Sequence, residues 1–248
     1  MKINLPQKFP TIVGSLSEPT QEDIMSEPLF RRSTSSFVKE FGGPIAKSFL
    51  KKLEEAGLVS KNSRFLCQRS FFIKDMYPSS PTWHFDVTPG VTRTIEEQVN
   101  EDITSVIACV CSKDNISTTE FLSTGLLQIE TSVLDKQEYK GGEYLNASVG
   151  KINPFHFDIE YGLSNGSFKK ESLMPNILYK YDARTVHKAP KFTKTGGCRI
   201  VLRMTTVSDD FPHDIPISDV IIKEDSFCFS FSDKDKNVYE KHSIKSFL

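Results

Sequence analysis

The stretch Pro81-Thr82-Trp83-His84-Phe85-Asp86-Val87-Thr88-Pro89-Gly90 places a histidine and an aspartate two residues apart. On an extended chain alternate side chains project from one face, so His84 and Asp86 can grip the same ion. Far downstream, Tyr181-Asp182-Ala183-Arg184-Thr185-Val186-His187-Lys188 supplies a second imidazole. Beyond it, Gly196-Gly197-Cys198-Arg199-Ile200-Val201-Leu202-Arg203 reads as a strand carrying two arginines. Two imidazoles and a carboxylate on one side of a metal, with the other positions open, suit ferrous iron.

A rival pair, His156-Phe157-Asp158, has to be weighed against the first. In a fold resembling a double-stranded β-helix, His187 would lie too close behind it to leave room for the intervening strands, and His213 has no arginine after it. His84 and Asp86 with His187 leave that room and have Arg199 downstream. They are the expected ligand set; the competing expectation is a hydrogen-bonded His–Asp pair on a half-buried strand.

This ordered set, His-x-Asp, a distant His, then an arginine twelve residues on, resembles the iron- and 2-oxoglutarate-dependent dioxygenases over roughly residues 64–207. The resemblance implies a mainly β fold with flanking helices around a double-stranded β-helix (jelly-roll or cupin-like) core. It implies Fe(II) held by His84, Asp86 and His187, with 2-oxoglutarate and O2 as cosubstrates and succinate and CO2 released. Arg199 would pair with the distal carboxylate of 2-oxoglutarate, for which a guanidinium fork is well shaped. Thr119, in Ser117-Thr118-Thr119-Glu120-Phe121, would add a hydroxyl to that carboxylate. Arg203 matches a second arginine of taurine-dioxygenase-like members and is expected at the cosubstrate, at an acidic substrate group or in a salt bridge at the barrel mouth. Trp83, the only tryptophan, is expected to wall the substrate pocket or fill the core. Halogenating relatives lack the carboxylate, so Asp86 points to hydroxylation or a related oxidation.

Size and composition agree with one domain. The 248 residues, 38% hydrophobic and 11% aromatic with 19 phenylalanines, can fill one sizeable β core. A net charge of −1 offers no electrostatic footprint for nucleic acid or an anionic membrane. Five cysteines without a CxxC pair read as buried thiols of a reducing compartment. With no signal-like N-terminus and no long apolar run, the protein is expected to be cytoplasmic and away from membranes.

Along the chain, residues 1–36 read as an arm that wraps the domain or is partly disordered, and 37–248 as one oxygenase domain. Pro44 to Ala56 has a single apolar stripe, with proline at its start and Gly57 past its end, as a helix requires. Strands are expected at Phe65–Ile73, Thr82–Val87, Ile103–Cys111, Glu120–Glu130, Glu143–Ser148, Phe155–Tyr161, Asn176–Val186 and Cys198–Val207, separated by glycine turns. Within the last, Arg199, Val201, Arg203 and Thr205 share one face, and Ile200, Leu202, Met204 and Thr206 the other. Ser232–Lys245 reads as a solvated tail or an edge element. The N-terminal arm and the 130–180 region are expected to cover the pocket. The expected substrate is a small molecule, with oligomeric state open. Two other readings fit the same residues: a cupin-type metal enzyme without 2-oxoglutarate, and a non-catalytic jelly-roll binding module.

Overall fold

The computed structural model describes residues 2–79, 81–86, 103–114, 116–130, 149–152, 154–207, 217–223, 227–235 and 238–244. The architecture is mainly β, built of antiparallel sheets. Its centre is β12 (Cys198–Thr206), flanked by β4 (Arg64–Phe71) and β5 (Thr104–Val110). β10 (Ile177–Asp182) and β2 (Thr11–Ser15) extend this sheet on one side and β3 (Phe30–Ser33) on the other, giving the order β2-β10-β5-β12-β4-β3.

The two faces of β12 divide as its alternation demands. Ile200, Leu202 and Met204 enter a core shared with Val106, Ala108 and Cys67. The apolar stripe of the helix α3 (Pro44–Glu55), namely Ile45, Ala46, Phe49, Leu50 and Leu53, closes that core. Arg199, Val201 and Arg203 face a cavity on the other side. α3 starts at Pro44 and is followed by Gly57 at φ +66°, as its sequence signals require. Its first turn lacks a cap from Gly43 itself. The buried Glu27 carboxylate serves instead, accepting from the Ile45 and Ala46 amides at 3.1 and 2.9 Å.

Several expectations about elements change. Residues 2–36 are threaded through the sheets. They supply β1 (Lys2–Pro6), β2, the short helix α1 (Gln21–Ser26) and β3. A second short helix, α2 (Ser35–Phe41), leads from there to α3. The single strand read over Glu120–Glu130 is two, β6 (Glu120–Thr124) and β7 (Leu126–Glu130), which pair in different sheets. They part at Gly125, whose φ is +128° and where a Cβ would lie 2.1 Å from the Phe168 ring.

Phe155–Tyr161 is no strand. It lies in the helix α4 (Pro154–Asn165), where Phe155, His156 and Ile159 are buried while Phe157 and Tyr161 are exposed. That is helical spacing; the alternation of aromatics concealed it. The tail is not an edge either. β14 (Val238–Ser243) is the middle strand between β13 (Phe227–Phe231) and β8 (Val149–Lys151). The third small sheet has the order β11-β6-β9, with β11 (His187–Lys188) and β9 (Lys169–Ser172). Thr82–Val87 forms no strand within its described residues; only a single bridge pairs His84 with His187. His213 and residues 131–148, which include the expected strand 143–148 and part of the expected cover, lie outside the described residues. All five cysteines are free and buried. No helix among the described residues is long and apolar enough to cross a membrane.

Candidate metal centre

One backbone pairing brings the distant halves of the site together. His84 and His187 exchange both main-chain hydrogen bonds, at 3.0 and 2.9 Å, and their rings lie 4.6 Å apart. Neither segment is part of a long ladder, so other groups hold each in place. The Asp182 carboxylate accepts from the Arg184 amide and the Thr185 hydroxyl, shaping the turn before His187. From the N-terminal segment, Gln7 donates to the Arg184 carbonyl at 3.1 Å and accepts from the Val186 amide at 2.8 Å. On the other half, the Trp83 amide donates to His156 Nδ1 at 3.2 Å and the Trp83 indole to Glu160 at 2.7 Å. Phe85 stacks on Phe155. Helix α4 therefore carries the segment that contains His84 and Asp86.

Three ligating atoms converge: one each from His84, Asp86 and His187, all within 4.8 Å of one another. Among the described residues this is the one such grouping of His, Cys, Asp and Glu. His84 Nδ1 lies 2.8 Å from the Thr82 carbonyl, and His187 Nδ1 lies 3.2 Å from the Thr185 carbonyl. An Nδ1–H bonded to a carbonyl sets the tautomer and leaves Nε2 with its lone pair for a cation. Burial, with the neighbouring His187, pushes the His84 imidazole down to about 4, so it is neutral near pH 7. Burial alone would raise the Asp86 carboxyl. The Arg203 guanidinium and His187 outweigh it and hold that carboxyl well below the usual range. Two imidazoles and one ionised carboxylate therefore face a common point.

Asp86 has two further partners, of which the sequence singled out only Arg203, with a salt bridge among its expected roles. The Tyr181 hydroxyl donates to Asp86 Oδ2 at 2.5 Å, and Arg203 forms an ion pair with Asp86 Oδ1. Burial and the Asp86 charge hold the Tyr181 phenol far above its ordinary value, so it remains a donor. Tyr181 lies on β10 opposite Ser105 of β5, and only its hydrogen bond to Asp86 shows that it reaches the site. No local motif marks it.

A cavity of about 160 Å3 opens beside these ligands, lined by His84, Asp86, His187, Thr119, Arg199 and Arg203. Arg199 is 2% exposed; it donates to the Ser117 carbonyl at 2.8 Å, and its Nε has no hydrogen-bond partner among the described residues. A buried guanidinium with an unused donor is costly unless an anion completes it. The Thr119 hydroxyl lies 3.4 Å from Cys109 Sγ in the same region.

Trp83 does not line this cavity. It is fully buried with Leu5, Phe85, Leu122 and Ile159, beneath the Lys188 ammonium. The rival pair is split by its helix: His156 is buried against Trp83 while Asp158 is exposed, since residues two apart on a helix do not face each other.

Comparison with known proteins adds little. No family model matches the chain. No curated protein matches it. A solved structure described as a non-heme monooxygenase, ThoJ-Ni complex, aligns over 81% of this chain and 74% of its own, at 11% identity and a TM-score of 0.33. A likeness that faint carries no argument about activity, which leaves the geometry of the site to speak for itself.

Proposed function

We propose that the protein is a metal-dependent oxygenase in which His84, Asp86 and His187 hold Fe(II) and 2-oxoglutarate is the cosubstrate. The observation that carries this reading is the convergence of two tautomer-set imidazoles and an ionised carboxylate at the wall of a cavity that also contains Arg199. Three protein ligands leave coordination positions open, as an oxygenase needs and a closed structural site does not. When bound, ferrous iron with 2-oxoglutarate supplies the means to activate O2 and oxidise a C–H bond.

The chain's own residues divide the remaining work. Arg199 offers a fixed cation and an unused N–H to the distal carboxylate of the cosubstrate, and Thr119 adds a hydroxyl on the same wall. Leu66, Ile107 and Val201 give the cavity apolar surface that limits water around the reacting groups. The substrate is a small molecule entering beside the metal.

One observation favours a second reading. Asp86 already has Arg203 and Tyr181 as partners, an arrangement that would suit a non-catalytic jelly-roll module with no metal. Anaerobic titration with Fe(II) and then 2-oxoglutarate separates the readings. A weak visible charge-transfer band that needs both components and disappears in Arg199→Ala is the expected result. Bound metal without a band would favour the cupin-type enzyme, and absence of metal binding would favour the module.

A further inference from the structure

The two oxygens of Asp86 stand in different surroundings. Oδ1 is taken by the Arg203 guanidinium. Oδ2 lies 3.5 Å from His187 Nε2, so it is the oxygen on the metal side, and it also accepts the Tyr181 hydroxyl at 2.5 Å. A carboxylate oxygen has two lone-pair directions, so a hydrogen bond to one leaves the other for a cation. We infer that Tyr181 is a positioning residue for the metal centre: its hydroxyl and Arg203 together hold Asp86 as a one-oxygen ligand, with Oδ2 toward the metal and Oδ1 away from it. This rests on the metal-centre reading and adds to it a residue that itself ligates nothing.

The packing of the ring gives the phenol its aim. Tyr181 meets Phe121 edge-on at 5.1 Å and His187 edge-on at 5.6 Å, while Phe121 stacks on His187 at 4.9 Å. These contacts lock the ring, and β10 sets its backbone opposite Ser105 of β5. A carboxylate free to rotate would offer both oxygens to the metal and occupy a position that cosubstrate or O2 requires. Hydrogen bonds to ligands commonly matter to metal affinity by about 10–100-fold.

The test uses Co(II) as an air-stable probe and Tyr181→Phe, which keeps the ring contacts and removes only the hydroxyl. Wild-type protein should bind one Co(II) with visible d–d absorption. The variant should bind about 10–100-fold more weakly, with an altered spectrum, while its far-ultraviolet circular dichroism stays unchanged. Equal affinity and an identical spectrum in the variant would overturn the inference and leave the metal centre standing. No Co(II) or Fe(II) bound by the wild type would overturn the metal reading itself, and the inference with it. A second measurement needs no variant. In wild-type protein loaded with diamagnetic Zn(II), the Tyr181 hydroxyl proton should persist as a slowly exchanging, downfield NMR signal. Its disappearance on metal binding would show that the metal displaces the phenol, against the inference.

Discussion

Asp86 and His156 differ in what their surroundings ask of them. Asp86 is kept charged by Arg203, although burial opposes it. His156 is kept neutral, because burial pushes it down to about 4 and its Nδ1 must accept the Trp83 amide proton. The resulting pH dependence has a definite sign. An unfolded histidine takes up its proton near the ordinary 6.5, while native His156 does so only near 4. Between those values the unfolded chain holds more protons, so stability falls as pH drops through that window, and the effect saturates below about 4. His84, also held at about 4, adds a contribution of the same sign in the metal-free protein. The metal-free melting temperature should therefore decline from pH 7 to pH 5. His156→Gln, which can still accept from the Trp83 amide without titrating, should show a shallower decline. Parallel curves for the two proteins would exclude His156 as a source of the dependence.

At the scale of elements, several features depend on close approach between parts distant in sequence. The α3 N-terminus is completed by Glu27 and not by a residue of its own turn. This works only because Gly43 has no side chain: a Cβ there would lie 2.4 Å from Glu27 Oε2. Gly43→Ala should then displace the carboxylate and leave the Ile45 and Ala46 amides poorly satisfied. The expected cost is about 1–3 kcal/mol, or a fall in Tm of roughly 3–10 °C for a chain of this size. A variant melting within a degree of the parent would show that Glu27 is not needed as a cap. The same dependence on remote partners applies to the N-terminal segment. Gln7 bridges the turn before His187, so this residue just beyond β1 belongs to the architecture of the site.

For the whole molecule, a metal at the candidate centre would add a clamp between two segments whose backbone pairing, among the described residues, is the single His84–His187 bridge. His84 and Asp86 belong to a segment carried by α4, while His187 belongs to β11. A cation bound to all three stabilises the native state by mass action. At one hundred times its dissociation constant this amounts to about 2.7 kcal/mol, and Tm should rise by roughly 5–10 °C. The rise should be absent in His187→Ala when thermal melts are compared with and without Fe(II) under anaerobic conditions. An undiminished rise in that variant would place the metal elsewhere.

Some of this was legible in the residues alone. The three ligand candidates, the helix from Pro44 with Gly57 beyond it, and the division of β12 into an apolar face and an arginine-bearing face follow from spacing, because periodicity and ligand chemistry are local. The rest required the folded chain. Phe155–Tyr161 alternates like a strand yet forms α4, since burial against Trp83 and Phe85 selects the helical period. Gly125 breaks an apparently continuous strand because the Phe168 ring occupies the space beside it. Tyr181 and Gln7 carry no local mark of their roles; one reaches Asp86, 95 residues away in sequence, and the other bridges a turn 177 residues away. Candidacy as a ligand is a property of residue type and order, which can be read from the residues alone. The orientation of those ligands is a property of hydrogen bonds between remote segments, and only the tertiary structure decides which segments meet.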